Sequence, residues 1–264
     1  MISRIAPLPS RALVAVGGPD RKSFLQGLLT QDVETLAPGE LRFGALLTPQ
    51  GRLMFDLFLF EDGETVMLDV AADRRDALVQ RLTMYRLRSR VAIAAAEGPV
   101  HAAWGEPLPA GALADPRLAE LGGRLYGPAE PNATEADFDA YRLDLGVPDP
   151  AKDARPDSAY PIELDFDQLN GIDFRKGCFV GQETTSRMKR RGVIKTRAVP
   201  ISFEGPPPPF GAEILAGDLR AGEVLWGIEG RAMALVRLDR VEAGHLTVDG
   251  RPARVEWPHW LIAP

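Results

Sequence analysis

The densest chemistry in the chain lies in the run Phe174-Arg175-Lys176-Gly177-Cys178-Phe179-Val180-Gly181-Gln182-Glu183. Cys178 follows a glycine, which permits unusual backbone geometry or close approach, and has the cations Arg175 and Lys176 beside it. Nearby positive charge favours the thiolate, the form that attacks electrophiles and binds soft metals. A helix beginning near Gly181 would bring its positive end close to the sulfur and act in the same direction. A packing role competes with this reading, because unpaired cysteines are among the most buried residues and Phe179 and Val180 are apolar.

Cys178 is the one cysteine in the sequence, which excludes an internal disulfide and a self-contained multi-cysteine cluster. His101, His245 and His259 are the three histidines, and their scatter leaves no zinc site or histidine triad readable from spacing. A protease-like pair would need the fold to carry one of them to the thiol. A cluster or metal held here would take its remaining ligands from a partner, a second chain or a small molecule.

The elements that must position this run can be read from periodicity and turn chemistry. Gln182 to Arg190 reads as a helix and Ile162 to Asn170 as another short one, with Cys178 in the connection. Upstream, Arg11 to Val16 reads as a strand, and Asp20 caps a helix carrying Phe24, Leu25, Leu28 and Leu29. Strands follow at Leu41 to Leu47, Arg52 to Phe60 and Glu64 to Val70, the last two joined by a hairpin with Gly63 in its loop. Asp73 caps a helix through Tyr85, and short strands follow at Val91 to Ala96, Val100 to Trp104 and Arg124 to Tyr126. Asn132 to Leu145 reads as a helix ended by Gly146 and Pro148, and Lys152 to Pro161 as loop. The proline run at 206–209 reads as the clearest boundary, since prolines donate no backbone hydrogen bonds. Beyond it, five short strands between Glu213 and Glu256 read as a small barrel or curved sheet.

Composition agrees with a strand-rich α+β chain. Of 264 residues 45% are hydrophobic, and 26 glycines and 23 prolines imply many turns. No export signal or long apolar span is visible, which predicts a soluble, non-exported, cytoplasmic protein without a membrane partner. The net charge of -6 speaks against DNA or RNA as a generic partner. Charge is nevertheless segregated: residues 130–167 are strongly acidic, and residues 175–197 are strongly basic with Glu183 the sole acid. That pattern fits mutual surface pairing or a local anion site.

Lys176-Gly177-Cys178-Phe179-Val180-Gly181-Gln182-Glu183 resembles the K-G-C-[aromatic]-x-G-Q-E signature of the YgfZ family, which also includes mitochondrial iron-sulfur assembly factors. Arg187 and Arg191-Gly192 resemble its continuation. The residues from Phe24 to Asp32 are similar to its F-L-x-x-x-x-T-x-D stretch, and those from Leu46 to Arg52 to its L-x-T-P-x-G-R turn. Arg142 to Pro148 is similar to its R-x-x-x-G-x-P element. The resemblance implies an α+β, T-protein-like fold of three lobes around a hole that accepts tetrahydrofolate. It places a folate-binding region of two interleaved lobes at 1–200 and a carboxy-terminal small β-barrel at 201–264. It also implies work in assembly or repair of iron-sulfur clusters, with Cys178 as functional thiol, iron-sulfur client or assembly proteins as partners, and a transient cluster shared with one of them.

A folate needs acceptors or an acid for its pterin, an apolar slot, and cations for its glutamate tail. Asp56 lies in a strand apolar on both faces, with Leu53, Phe55, Leu57 and Leu59 on one and Met54, Phe58 and Phe60 beside it on the other, so its carboxylate must be paired or aimed into a pocket. Asp144 stands where T-protein relatives resemble R-x-E and is the second pterin candidate. Arg142, Lys176, Gln182, Glu183 and Arg187 complete the expected folate contacts, with Arg175 and Arg191 as further tail candidates. Phe55 stands where the methyl-transferring T proteins resemble an acid, which argues against aminomethyltransferase activity. One-carbon transfer to another acceptor and an RNA-binding module are the competing functions.

Overall fold

The computed structural model describes residues 2–192, 194–241 and 245–262. Strand β1 (Arg4–Pro7) opens the chain, followed by β2 (Arg11–Gly17), β3 (Arg42–Leu47), β4 (Leu53–Asp62), β5 (Thr65–Ala71) and β6 (Ala92–Ala96). The last five form an antiparallel sheet in the order β3-β4-β5-β2-β6. β1 instead pairs with β7 (Val100–Trp104), in a second sheet completed by β8 (Leu113–Ala114) and β9 (Gly123–Tyr126) in the order β1-β7-β9-β8. The two sheets are therefore interleaved along the sequence.

Both faces of the five-stranded sheet are apolar because both are covered. Helices α1 (Arg21–Gln26) and α2 (Arg75–Tyr85) cover one face, packing Phe24, Leu25, Leu78 and Leu82 onto Val14, Leu57 and Leu68. Asp20 precedes α1 but does not cap it; its carboxylate accepts from the backbone and guanidinium of Arg90. The other face packs Leu13, Phe43, Phe58 and Phe60 against the second sheet and against α3 (Glu135–Asp144). The strict alternation expected along β4 breaks at a bulge. Leu46 pairs with Phe55 and Leu47 with Leu53, so Met54 is the extra residue and Leu53 turns to the face opposite Phe55.

Thr134 and Asp137 form a capping box at the start of α3, and Gly146 with φ 72° follows its end. Two expectations fail next. Residues 152–161 are not all loop, because Asp149 caps a short helix α4 (Pro150–Asp153) with proline at its first position. Residues 162–170 do not form a helix. A 3-10 turn at Pro161–Leu164 is stopped by Asp165, and Asp165 (φ 62°) and Asn170 (φ 55°) both take left-handed backbone angles that an α-helix cannot contain. Helix α5 (Gln182–Arg191) forms as expected.

A closed barrel ends the chain, with β10 (Thr196–Phe203), β11 (Glu213–Ala216), β12 (Leu219–Ile228), β13 (Arg231–Arg237), β14 (Leu246–Val248) and β15 (Arg251–Val255) in the order β10-β13-β12-β11-β14-β15. The proline run lies in the loop between β10 and β11, inside the barrel rather than at its border. The tail after β15 returns to α3, where the Trp260 indole N–H donates to the Leu145 carbonyl at 2.8 Å. Pro258 packs so tightly on Gly146 that an added Cβ would lie 2.4 Å from its ring. No helix among the described residues is long and apolar enough to cross a membrane.

Candidate functional site

Cys178 is exposed, so the packing role falls to its neighbour Phe179, which is buried in the core between the sheets. The loop carrying the thiol is fixed on both sides. On the amino side the Asp173 carboxylate accepts from the backbone N–H groups of Arg175 and Lys176, at 2.7 and 3.3 Å, and Asp173 N–H donates to the Thr30 carbonyl. The Thr30 hydroxyl is fully buried, donating to the Gly171 carbonyl at 2.7 Å and accepting from Ala45 N–H at 2.8 Å. Gln31 ties the Phe43 and Asn170 carbonyls together through its side-chain amide. Thr30, Gln31 and Asp173 were not among the expected site residues, although Thr30 is the threonine of the F-L-x-x-x-x-T-x-D stretch.

Lys176 does not turn toward the thiol surface. Its ammonium donates to the carbonyls of Gln26, Leu29 and Gln31 at 2.7, 2.6 and 2.8 Å, the first at the end of α1 and the other two in the segment that follows it. Burial pulls the Lys176 amine down to about 8, against the opposing pull of Asp32 and Asp173. On the carboxyl side Gly181, with φ 80°, caps α5 and lies against the Thr48-Pro49-Gln50-Gly51 turn. The three sequence stretches of the amino half, the turn and the cysteine run thus meet in one place. Gly177 has open space around its α-carbon and no left-handed φ, so neither close approach nor special geometry explains it.

The remaining expected contacts are distributed elsewhere. Asp56 is buried and paired with Arg11 at 2.7 Å. Arg11 also meets Asp69, which accepts from Arg124 and the Tyr126 hydroxyl, and this network stacks on the Phe58 ring between the sheets. Burial opposes the charge on Arg11, but Asp56 and Asp69 outweigh it and hold its pKa well above the usual value. Arg142 is fully buried, bonded to Asp139 at 3.0 Å and Asp153 at 2.9 Å, with Trp226 beneath its guanidinium. Burial pushes the Asp153 carboxyl up to about 6 in spite of Arg142. Asp144 is exposed and pairs with Arg231 of the barrel. Glu183 and Arg187 are exposed on α5, Gln182 is half-buried at its start, and Arg175 is exposed in the loop. The Arg191 side chain lies outside the described residues.

Asp56 also borders a cleft of about 80 Å³ between β4 and α4, walled by Leu53, Phe55 and Pro150, with Arg74 and Arg155 at its edge. Arg74 covers the Phe55 ring at 4.8 Å. An acid, an apolar wall and two cations match the chemistry of a folate, but the volume falls below the roughly 300 Å³ at which ligand pockets begin. Among the described residues no group of three or more His, Cys, Asp or Glu side chains is placed to hold a metal ion.

Residues 195–262 match the CAF17 carboxy-terminal beta-barrel domain. The chain is 32% identical to the human mitochondrial iron-sulfur cluster assembly factor IBA57, over 82% of this chain and 74% of the relative. Homologues of IBA57 from Neurospora crassa and Mycosarcoma maydis are 30% and 33% identical over 84% and 78% of this chain, which spans 58% and 59% of their lengths. Among solved structures, the glycine cleavage system aminomethyltransferase T of Bartonella henselae superposes with a TM-score of 0.78 at 19% identity, covering 98% of this chain and 86% of that one, and this shows a shared fold. The α+β T-protein-like fold with a carboxy-terminal barrel is thereby borne out. Two expectations are corrected. The relatives point to IBA57 rather than to YgfZ in particular, and they are described as mitochondrial, which overturns the expectation of a cytoplasmic location. The chain belongs to the IBA57 family of iron-sulfur cluster assembly factors.

Proposed function

We propose that this chain is an iron-sulfur cluster assembly factor in which Cys178 supplies one thiolate ligand to a cluster held jointly with a partner protein. The observation that carries the reading is an exposed thiol on a loop clamped at both ends, in a chain whose relatives are described as iron-sulfur cluster assembly factors. Cluster iron is held by thiolates, generally four to a cluster, so one cysteine leaves the other positions to a client or assembly protein. The clamp lowers the ordering cost of the joint site, because the sulfur is already positioned before the partner arrives. Binding to iron displaces the thiol proton, which the solvent at this exposed position accepts. Phe55 gives no carboxylate to orient a one-carbon group, which supports a binding role over a transferase.

The experiment is replacement of the endogenous relative in a cell that depends on it. Cys178→Ala should accumulate normally and fail to restore cluster-dependent enzyme activity; full restoration would sink the proposal. Tetrahydrofolate at the Asp56 cleft is a second reading, favoured by the acid, apolar wall and cations gathered there, and it requires the cleft to widen between β4 and α4. Anaerobic calorimetry tests it: micromolar binding that survives Cys178→Ala and weakens in Arg74→Ala supports it, and absence of heat in every form removes it.

A further inference from the structure

We infer that the exposed ledge formed by the Cys178 loop and α5 docks an acidic surface of a partner protein. The inference rests on the proposed role of Cys178 and adds the chemistry of the partner. Thr185 is buried and Met188 packs against the core, so α5 turns Arg187, Lys189 and Arg190 outward. Phe174 lies 5.3 Å from the Lys189 ammonium, and Gly181 caps the same helix, so the loop runs back alongside α5 with Cys178 between these two points. The thiol loop therefore lies beside Lys189, next to the outward face of α5 that carries Arg187 and Arg190 together with one acid, Glu183.

Arg175, Arg187 and Arg190 have no carboxylate within ion-pair distance among the described residues, although the chain carries 37 acids against 31 bases. Lys189 reaches Asp167 at 3.5 Å and its side chain stays 49% exposed. An acidic chain that leaves these arginines unpaired around its thiol presents a local positive field, which steers an acidic surface and repels a basic one. Phe174 is 37% exposed among them. An exposed aromatic ring with an arginine next to it, here Phe174 and Arg175, is a residue mixture enriched at protein interfaces. Single-stranded RNA would need a series of exposed rings for its bases, whereas Phe179, the other ring of the loop, is buried.

The test uses the intact chain and three peptides, each with one cysteine activated as a mixed disulfide and flanked by glutamates, serines or lysines. The glutamate peptide should couple to Cys178 about ten-fold faster than the serine peptide at low salt, within the range of electrostatic steering. The advantage should vanish near about 0.5 M salt, where charges are screened within a few ångströms, and in the variant carrying Arg187→Glu and Arg190→Glu. Comparing the glutamate and serine peptides within each protein cancels any change in thiol reactivity that the substitutions bring. Equal rates for all three peptides would overturn the inference, as would poly-uridylate blocking the glutamate peptide at physiological salt, which would reassign the ledge to RNA. Since Cys178 is present throughout, charge discrimination that persists while Cys178→Ala still restores cluster-dependent activity would defeat the cluster proposal alone.

Discussion

Gly51 and Gly181 lie back to back: a Cβ on Gly181 would stand 2.9 Å from the Gly51 α-carbon and 2.6 Å from the Thr48 carbonyl, and a Cβ on Gly51 would stand 2.9 Å from the Thr184 Cβ. Both have left-handed φ, 86° and 80°, so an added side chain meets strain and collision together. Gly181→Ala and Gly51→Ala should each cost about 3 kcal/mol in denaturant unfolding, from left-handed strain plus overpacking. Gly177→Ala, one residue before the thiol, meets open space and should stay within about 0.5 kcal/mol of the parent.

Lys176 belongs to the clamp rather than to a ligand. Lys176→Met leaves three carbonyls without their donor, and the thiol loop should loosen, seen as faster hydrogen exchange over residues 174–181. The amine is held near about 8 in the folded chain, below its ordinary value of 10.5. Between those two values the unfolded chain binds more protons, so this group's contribution to stability rises with pH across that window; its penalty is full below pH 8 and gone above 10.5. Unfolding followed against pH should show the wild type gaining on Lys176→Met through this window. A parallel pair of curves would contradict the burial of the amine.

Arg142 and Asp56 are held by opposite charges inside the molecule, and this separates structural loss from ligand loss. Arg142→Met leaves Asp153 in the interior without its cation, while Asp139 keeps Lys152, and should cost about 3 kcal/mol, the low end of the penalty for breaking a buried pair. Urea titration checks it. A well-folded Arg142→Met that had lost tetrahydrofolate binding would instead return this residue to the ligand site.

Asp144, exposed and paired with Arg231 across the junction to the barrel, should tolerate Asp144→Asn with a loss of about 1 kcal/mol or less. The change in thermal midpoint measures it.

Much of the fold was legible because its causes are local. Apolar runs bounded by Pro49-Gln50-Gly51 and Gly63 marked β4 and β5, and Gly146 and Gly181 marked helix ends, whereas the Thr134 cap places the start of α3 later than the Asn132 expected. Asp149-Pro150 carries an equally local helix-start signal, an N-cap acid followed by proline at the first helical position. Residues 162–170 misled because Asp165 and Asn170 adopt left-handed angles that apolar periodicity does not encode. The site was less legible, since its geometry depends on distant partners. The carbonyls that hold Lys176 lie 145 to 150 residues away, and Asp56 finds Arg11 across the sheet. A cation beside a cysteine in sequence could not reveal that it faces the other way.

The most direct test of the central claim is anaerobic reconstitution of the purified chain with ferric iron, sulfide and glutathione as the surrogate thiol partner, followed by absorption spectroscopy and by iron and sulfide counts per chain. Wild type should bind a cluster through Cys178, and Cys178→Ser, with unchanged circular dichroism, should lose it. Equal cluster content in the two proteins, or none in either, would contradict the proposal that Cys178 supplies one ligand to a shared cluster.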